Sequence, residues 1–299
     1  MNSISYLSDS TFVSKVYDIS IGPEGIYLSD YVRGQVIALD GETYDVRRTY
    51  GVPGEGPGEI QGLSAFYLSS DSIYAINQAR KEVVIFHKNS SIPKRWFSID
   101  RSISSSEFDL SFFVEDEVVF ASAPKNGAPL VSVKVSDGLL LKKFGKEFKY
   151  GHPTQNLIRN GRHLFGFENK IISVSDNMPV LEIYSNQGEL LVSDDISDNC
   201  DVNERLEFIK DQNDIAPNSY YNMFRDVYYD DQKLYLLTIS GRDKPRVNKI
   251  LVYQVDDNGF TYDRTLQLPG IWYTALACHN DSQLVIFENG TESLHDFNF

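Results

Sequence analysis

The sequence predicts an all-β fold, a six-bladed β-propeller whose blades are four-stranded antiparallel sheets. Three observations support this prediction: apolar runs of strand length, almost no helical periodicity, and a repeat of about 48 residues. The apolar runs are rich in β-branched and aromatic residues, which favour half-buried strands. A repeat of that length with four short strands in each unit is typical of propeller blades.

The turns between the third and fourth strands of the blades define the repeat. Glycines at Gly41, Gly138, Gly188 and Gly259 suit tight hairpins, which need a positive φ. Gly41 and Gly138 lie 97 residues apart, or two repeats, and Gly138 and Gly188 lie 50 residues apart. The intermediate turn falls at Asn89. The 71 residues from Gly188 to Gly259 therefore contain one repeat and an insertion.

The repeat predicts six blades in one domain that covers residues 1–299. We expect the blades at residues 12–50, 62–99, 108–144, 156–194, 221–268 and 271–299. The sixth unit has only three strands of its own. We therefore expect residues 4–7 to supply its fourth, outer strand and to close the ring, which removes an open sheet edge. A frayed N-terminus is the alternative.

The insertion before the fifth blade, at about residues 197–216, has helical spacing. Val202, Leu206 and Ile209 recur at intervals of four and three residues, which predicts a helix of about three turns. Its apolar stripe should pack on the propeller face and partly roof the channel. A long loop in a compact domain is usually functional or mobile. The insertion is therefore interpreted either as a lid or partner contact, or as a surface excursion.

Composition limits the possible partners. The chain has 28 basic and 42 acidic residues and a formal net charge of −14. Such a charge repels phosphate backbones, so we expect no nucleic-acid partner. No run of 18 apolar residues could span a membrane, and the first residues lack the basic start and apolar core of a signal peptide. Two distant cysteines, Cys200 and Cys278, give no basis for a disulfide.

A glycine-rich string joins the first two predicted blades. Residues 54–59 read Gly-Glu-Gly-Pro-Gly-Glu, which is neither a dinucleotide fingerprint nor a phosphate loop. Taken alone, the string is a connection shaped by packing. Placed after an outer strand that ends at Tyr50, it resembles the signature of the TolB-like/NHL-like six-bladed β-propeller family, common as Bacteroidetes-type secreted lipoproteins. Ile60 departs from the family's usual aromatic residue at that position.

The resemblance implies a fold and a location but no chemistry. It implies an extracytoplasmic protein, periplasmic or anchored to the outer membrane by a lipid, with the signal removed upstream of this chain. Without the resemblance, a cytosolic protein remains the alternative. Because most members of the family have no known function, no catalytic or binding residue is carried over from them.

A second pattern resembles the turn between the second and third strands of NHL repeats. Asp30 is followed three residues later by Arg33, and Asn77 is followed by Arg80 at the same spacing, 47 residues further on. Arg242 occupies the corresponding loop of the fifth blade. These arginines are candidates for ligand binding, and the structural alternative is that each pairs with a nearby carboxylate.

In a propeller, these loops share one face with the connections between blades and with the starts of the inner strands. We predict that this face, at the channel mouth, binds a small molecule, a glycan or a protein partner. Arginines beside aromatic side chains and carboxylates suit sugars, peptides and acidic small molecules. The alternative is that the aromatic residues pack between blades. The predicted ligand-binding residues are Arg33, Arg80, Arg225, Arg242, Glu55, Tyr150, His152, Tyr221 and Trp272.

No catalytic motif accompanies this face. The chain has no HExxH or GxSxG sequence. We therefore expect a monomeric, non-enzymatic binding protein without catalytic residues, cofactor or metal. Two alternatives stay open: a scaffold that engages a protein through its rim or insertion, and a metal-dependent enzyme of the lactonase or lyase type. The second would draw its ligands from Asp18, Asn156, Asp226 and His279.

Overall fold

The computed structural model describes most of the chain as a ring of six sheets around a central channel. The described residues are 2–4, 13, 15–56, 58–99, 111–125, 127–212, 216, 218–241, 244–279 and 282–298. Each sheet has four antiparallel strands. The six-bladed β-propeller predicted from the sequence is thus confirmed.

The first three blades follow one another along the chain, and their strands run from the channel outward. The first blade contains β2 (Val16–Gly22), β3 (Gly25–Asp30), β4 (Gln35–Leu39) and β5 (Val46–Tyr50). The second contains β6 (Leu63–Leu68), β7 (Ser72–Asn77), β8 (Glu82–His87) and β9 (Pro93–Ser98). The third contains β10 (Phe113–Glu115), β11 (Val118–Lys125), β12 (Ala128–Lys134) and β13 (Leu140–Phe144).

The last three blades repeat the pattern, and the final one borrows a strand from the N-terminus. The fourth contains β14 (Arg162–Phe167), β15 (Lys170–Ser175), β16 (Val180–Ser185) and β17 (Leu190–Asp195). The fifth contains β18 (Phe224–Asp230), β19 (Lys233–Ser240), β20 (Arg246–Asp256) and β21 (Gly259–Gln267). The sixth contains β22 (Tyr273–His279), β23 (Gln283–Glu288), β24 (Ser293–Asn298) and β1 (Asn2–Ile4).

Strand β1 closes the ring as predicted, although earlier in the chain than residues 4–7. Its three residues pair antiparallel with β24, with Asn2 opposite Asp296 and Ile4 opposite Leu294. Residues 5–7 lie outside the described part of the chain. The first and last strands are therefore held together by backbone hydrogen bonds, and the outer edge of β24 is covered.

The glycine turns that define the repeat pack against the preceding blade. Gly138 has a φ of +73°, and a Cβ atom there would lie 2.2 Å from the carbonyl oxygen of Ser98, at the end of the second blade. A side chain at this position would clash with backbone, so glycine is required on both grounds. Gly188 likewise approaches Phe144 of the blade before it. Turn chemistry and blade stacking therefore depend on the same residues.

Apolar side chains between neighbouring blades form the core. In the described residues they make six clusters, each of which joins two adjacent blades. Ile76 of the second blade packs with Val131 of the third, and Leu28 of the first packs with Val285 of the sixth. Since every blade buries both of its faces, each sheet is stabilised by both neighbours.

Two α-helices occur in the described residues, and both lie in connections between blades: α1 (Pro153–Ile158) and α2 (Cys200–Asp211). Asn199 caps the start of α2 by accepting hydrogen bonds from the backbone N–H groups of the first turn. Val202 and Ile209 are buried in the cluster between the fourth and fifth blades, so α2 covers that junction. Neither helix is long and apolar enough to cross a membrane.

Candidate functional site

The antiparallel order of the strands gives the propeller two different faces. The six inner strands, β2, β6, β10, β14, β18 and β22, all start on the face that carries the connections between blades. We call this the loop face. The loops between second and third strands lie on it too, because the chain returns there after two strands. The inner strands end at the opposite face, so each one spans the channel from the loop face to the opposite face.

Two cavities lie in the channel as formed by the described residues, one towards each face. The mouth cavity, of about 190 Å³, lies at the loop face and is lined by Tyr17, Asp18, Ser64, Ala65, Ser111, His163, Asp176, Tyr220, Asn222, Arg225, Asp226 and Thr274. The aromatic chamber, of about 330 Å³, lies further along the strands and is lined by residues 18–21, 66–68, 111–113, 165–166 and 227–230. Asp18 and Ser111 line both cavities and mark the boundary between them.

Two carboxylates occupy equivalent places in the first and fifth blades. Asp18 accepts a hydrogen bond from the backbone N–H of Phe66 in the second blade, at 2.9 Å. Asp226 accepts one from the backbone N–H of Leu276 in the sixth blade, at 2.8 Å. Each side chain thus joins its inner strand to the next one. Both lie where the pairing of the inner strand is irregular, between Val16 and Ile19 and next to Asp226.

These bulges turn the carboxyl groups towards the channel axis, where protein encloses them. Enclosure raises the pKa of Asp226 to about 6, in spite of the opposing effects of His163 and of two backbone N–H groups. Enclosure also raises the pKa of Asp18 well above its usual value, and the charge of Asp226 adds to that effect. Both residues are nevertheless only partly buried. The channel therefore contains carboxyl groups that can hold a proton.

A third carboxylate, Asp176, belongs to a network contributed by three connections. Its oxygens accept hydrogen bonds from the Tyr220 hydroxyl at 2.6 Å and from the Asn222 amide at 2.9 and 3.0 Å. His163 Nε2 lies 3.7 Å from the same carboxylate, and His163 Nδ1 lies 3.3 Å from the Ser111 hydroxyl. Tyr220 and Asn222 follow α2 in the chain, so the inserted segment itself forms part of the mouth.

Two nitrogen atoms in the mouth cavity have no hydrogen-bond partner within the described part of the protein: Arg225 Nε and His163 Nε2. Both atoms are buried, and buried polar groups are normally hydrogen-bonded. A ligand hydroxyl group could accept from Arg225 Nε and, according to the tautomer of the ring, donate to or accept from His163 Nε2. The mouth therefore combines two nitrogens that lack a hydrogen-bond partner in the described residues with carboxyl groups that can accept or donate.

The residues nominated for a metal do not come together. Asp18 and Asp226 line the channel, but Asn156 accepts a hydrogen bond from the backbone of Tyr150 in the connection that contains α1. His279 ends β22 at the opposite face, where its Nδ1 lies 3.9 Å from Asp230. Among the described residues, no group of three or more His, Cys, Asp or Glu side chains could hold a metal ion.

The predicted arginines of the first two blades lie on the loop face and bind nearby groups. The backbone N–H of Arg33 donates to Asp30, and the guanidinium lies 3.9 Å from the same carboxylate. Arg80 contacts Glu82 at 3.1 Å and also donates to the carbonyl oxygen of Glu55. Asn77 accepts from the backbone of Arg80, as Asp30 does from Arg33. The shared pattern is therefore a capped turn, and both arginines lie outside the mouth cavity.

The glycine-rich string is a loop that folds around one carboxylate. Glu59 accepts a hydrogen bond from the backbone N–H of Gly56 at 2.7 Å. A Cβ atom on Gly54 would lie 2.0 Å from the Glu59 carboxylate, so the glycines make room for it. Ile60 is fully buried in the cluster between the first and second blades. In the described residues, the contacts of the string serve to pack the first two blades together. The Glu55 side chain, a predicted ligand-binding residue, is exposed to solvent beside it.

The predicted residues next to α1 are also away from the mouth cavity. Tyr150 stacks on the guanidinium of Arg159, whose central carbon lies 3.8 Å from the ring centre, and burial raises the pKa of the Tyr150 hydroxyl. His152 is exposed and caps α1 by accepting from the backbone N–H of Thr154 at 3.2 Å. Both side chains therefore hold the connection in place.

The remaining predicted residues divide between the mouth and its surroundings. Arg225 lines the mouth cavity. Tyr221 packs edge-on against Phe208 of α2, with ring centres 5.2 Å apart, and Trp272 is half-buried against the cluster between the fifth and sixth blades. Arg242 lies outside the described residues. Of the eight predicted residues that the structure describes, one lines the mouth cavity.

Sequence reasoning missed most of the mouth because of strand register. Trp272 was selected near the start of its inner strand, but Thr274, two residues further along, lines the channel. In a regular strand these two side chains would lie on the same side, but the pairing of β22 is irregular between Tyr273 and Ala275, so the simple alternation does not hold there. His163 belongs to no recognisable motif and was not among the predicted residues. Its position two residues into an inner strand was the available signal.

Comparison with known proteins identifies the fold. No protein-family model matches the chain, and no curated protein matches its sequence. Many solved structures share its architecture. One is a Bacteroides fragilis protein provisionally described as exported, with a TM-score of 0.62, 14% sequence identity, and coverage of 94% of this chain and 81% of that one.

Two further solved structures illustrate the range of similar proteins. The WD40 repeats of RRP9 give a TM-score of 0.57 at 10% identity, covering 95% of this chain and 94% of theirs. A catalytically inactive virginiamycin B lyase from Staphylococcus aureus, solved with quinupristin, gives 0.54 at 10% identity, covering 99% and 87%. At these identities the similarity extends to the propeller fold and not to a shared activity.

Proposed function

We propose that this chain is a non-enzymatic binding protein that holds a small polyhydroxylated ligand in the mouth cavity. The observation that carries the proposal is the pair of buried nitrogens without a hydrogen-bond partner in the described residues, Arg225 Nε and His163 Nε2. A bound hydroxyl group would accept from Arg225 Nε, and it would donate to or accept from His163 Nε2 according to the tautomer of the ring. Satisfying a buried donor recovers a desolvation cost of about 1–3 kcal/mol for each group.

The other residues of the mouth favour a sugar or polyol over a strong anion. Asp176, and Asp226 above its pKa of about 6, would repel a carboxylate or phosphate, whereas all three aspartates of the mouth can form hydrogen bonds with hydroxyl groups. Tyr17 and Tyr220 add aromatic surface for the apolar face of a sugar ring. A cavity of about 190 Å³ suits a ligand the size of a monosaccharide.

Binding of D-glucose, D-galactose, L-fucose and D-glucuronate, measured by isothermal titration calorimetry, tests the proposal. We expect a neutral sugar to bind and the Arg225→Gln variant to bind it at least about tenfold more weakly. Arg264→Gln removes the same charge from the outermost strand of the fifth blade, where Arg264 pairs with Asp263, and should bind normally. Equal affinity of wild type and Arg225→Gln, or binding of none of the sugars, would contradict the proposal.

The wider setting is part of the same proposal. We infer a monomer that works outside the cytoplasm and belongs to the TolB-like/NHL-like group, possessing a lipid anchor upstream of this chain. The glycine-rich string at residues 54–59 supports this inference, as does the fold shared with the Bacteroides fragilis protein described as exported. Membrane fractionation of the protein expressed from its complete gene tests it, and a purely cytosolic signal would reject it.

A protein partner on the loop face is the second candidate function. Val32 and Ile271 are exposed there, at 65% and 60% of their surface, and Val52 is exposed at 56%. Exposed apolar residues on one face favour protein contact. A groove of about 570 Å³ beside Val32, between the first and second blades, adds a concave surface. Val32→Asp should abolish recovery of a partner that copurifies with the wild-type protein and leave sugar binding unchanged.

A further inference from the structure

The aromatic chamber is separate from the site of the proposed function. It begins at Asp18 and extends to Asp230 at the ends of the inner strands, with a volume of about 330 Å³. Four inner strands contribute aromatic side chains to it, and the first blade contributes Ile19, Ser20 and Ile21 instead. The aromatic residues include Phe66, Tyr67, Phe112, Phe165, Tyr228 and Tyr229.

Ring contacts hold parts of the wall in place. Tyr67 of the second blade packs against Phe112 beside the third, with ring centres 6.3 Å apart at an angle of 51°. Phe165 of the fourth blade packs against Tyr229 of the fifth, at 6.2 Å and 44°. Both pairs bridge adjacent blades, so the rings are fixed by the same packing that holds the propeller together. A ligand would therefore meet a largely preformed surface.

The charged residues of the chamber are all of one sign. Asp18 and Asp230 line it, and no Lys, Arg or His is among the lining residues of the described chain. The mouth cavity differs, because Arg225 and His163 line it together with its carboxylates. His279 approaches Asp230 from the sixth blade, with Nδ1 3.9 Å from Oδ2, but does not line the chamber.

We propose that the aromatic chamber binds an organic ammonium ion, with its apolar part among the aromatic rings and its charged nitrogen at Asp230. The faces of aromatic rings carry negative charge density and attract cations, most strongly where water is excluded. A carboxylate at the end of the chamber adds direct charge complementarity. A neutral apolar molecule could pack against the aromatic rings but would gain no attraction to the carboxylate, and an anion would be repelled by it.

Asp230 is placed to receive the nitrogen because it ends strand β18 at the open side of the chamber. About a third of its side chain is exposed, so a ligand can reach it. Asp18, at the inner end, is engaged by the backbone N–H of Phe66 and is enclosed. The two carboxyl groups therefore differ in accessibility: Asp18 is enclosed and also joins two blades, whereas the Asp230 side chain is partly exposed to solvent.

Three probes of similar shape and different charge test the proposal: phenethylammonium, 2-phenylethanol and phenylacetate. Their binding to the full chain is measured by ligand-observed NMR and by titration calorimetry. We expect phenethylammonium to bind at least about tenfold more tightly than 2-phenylethanol, and phenylacetate not to bind. Equal affinities for the ammonium ion and the alcohol would overturn the proposal, as would failure of the ammonium ion to bind.

Matched variants locate the site. Asp230→Asn should lose most of the preference for phenethylammonium over the alcohol, whereas Asp231→Asn, one residue further and outside the chamber lining, removes the same charge and should keep it. Phe165→Leu should weaken both probes. Unchanged preference in Asp230→Asn with a normal melting temperature would overturn the assignment. Because Arg225→Gln should leave ammonium binding intact, this result is independent of sugar binding at the mouth.

Discussion

The two halves of the channel are built from the same inner strands and have opposite character. The mouth cavity contains an arginine, a histidine and three aspartates, with two buried nitrogen atoms that have no hydrogen-bond partner in the described residues. The aromatic chamber contains rings from four blades and carboxylates alone among its charged groups. A few residues along each strand separate the two environments, and Asp18 and Ser111 belong to both.

The difference shows how one repeated scaffold can hold two unlike sites. At the loop face, bulges at the starts of β2, β6, β18 and β22 and the inserted segment after α2 bring polar side chains to the axis. Beyond the bulges the inner strands pair regularly, and four of the blades contribute aromatic residues to the chamber. Irregular backbone is therefore concentrated in the polar half of the channel, although His163 comes from the regularly paired strand β14.

The largest expected effect comes from removing a buried ring in the aromatic half. Phe113 is 3% exposed and stacks on Phe120 with ring centres 4.9 Å apart. Phe113→Ala should lower the free energy of unfolding by about 3–5 kcal/mol because it leaves a cavity between the third and fourth blades. Denaturant titration measures the change. Phe165→Ala, at a half-buried ring of the same chamber, should cost clearly less, and equal losses would contradict the comparison.

The next effect is a dependence of the unfolding free energy on pH, caused by Asp226 in the mouth cavity. Asp226 has a folded pKa of about 6, above its usual value of 3.8, so its neutral form is favoured in the folded protein. Its contribution to stability is complete below about pH 4 and is lost as the pH rises through 6. The loss amounts to at most about 3 kcal/mol, less where channel water screens the carboxylate.

Unfolding free energies of wild type and Asp226→Asn between pH 4 and 7 measure this effect. The wild type should lose stability relative to the variant across that interval, since an amide does not ionise. Asp40→Asn is the control on the surface: hydrogen bonds from backbone N–H groups lower the pKa of Asp40 to about 2, so its contribution is lost only as the pH falls below about 4. A constant difference between wild type and Asp226→Asn would reject the assignment.

The smallest effect concerns the network around Asp176. Tyr220→Phe removes one hydrogen bond of 2.6 Å to that carboxylate and should cost about 1.5 kcal/mol of unfolding free energy. It should weaken sugar binding at the mouth and leave ammonium binding in the aromatic chamber unchanged. Tyr221→Phe is the matched control, because the Tyr221 ring packs on Phe208 and lies outside both cavities. Weaker ammonium binding in Tyr220→Phe would show that the two halves are not independent.

The sequence predicted the ring well because its signals are local. Glycine marks the hairpin turns in the sequence. At Gly138 it is required both by the positive φ and because a side chain would clash with the backbone of Ser98. The number of blades then follows from the spacing of these turns, without any long-range information. The closing strand was inferred from the three strands left in the last unit, and β1 pairs with β24 over residues 2–4.

The mouth could not be predicted equally well because it depends on strand register. The bulges beside Asp18 and Asp226 decide which side chains face the axis, and a bulge has no reliable signature in a single sequence. Tyr220 and Asn222 come from an insertion whose path depends on how α2 docks between two blades. Arginines in recognisable turns, such as Arg33 and Arg80, were easier to see than the residues that line the cavity.

The pairing of β1 with β24 also fixes where the chain enters the propeller. Strand β24 runs from the loop face to the opposite face, and Asn2 lies beside Asp296 near its far end. A tether joined ahead of Asn2 would therefore leave from the side of the aromatic chamber. If the protein were immobilised through such a tether, its mouth cavity would lie on the side of the solution and its aromatic chamber on the side of the support. Sensor experiments that attach the protein at this end would thus leave the proposed sugar site more accessible than the proposed ammonium site, for purely geometric reasons.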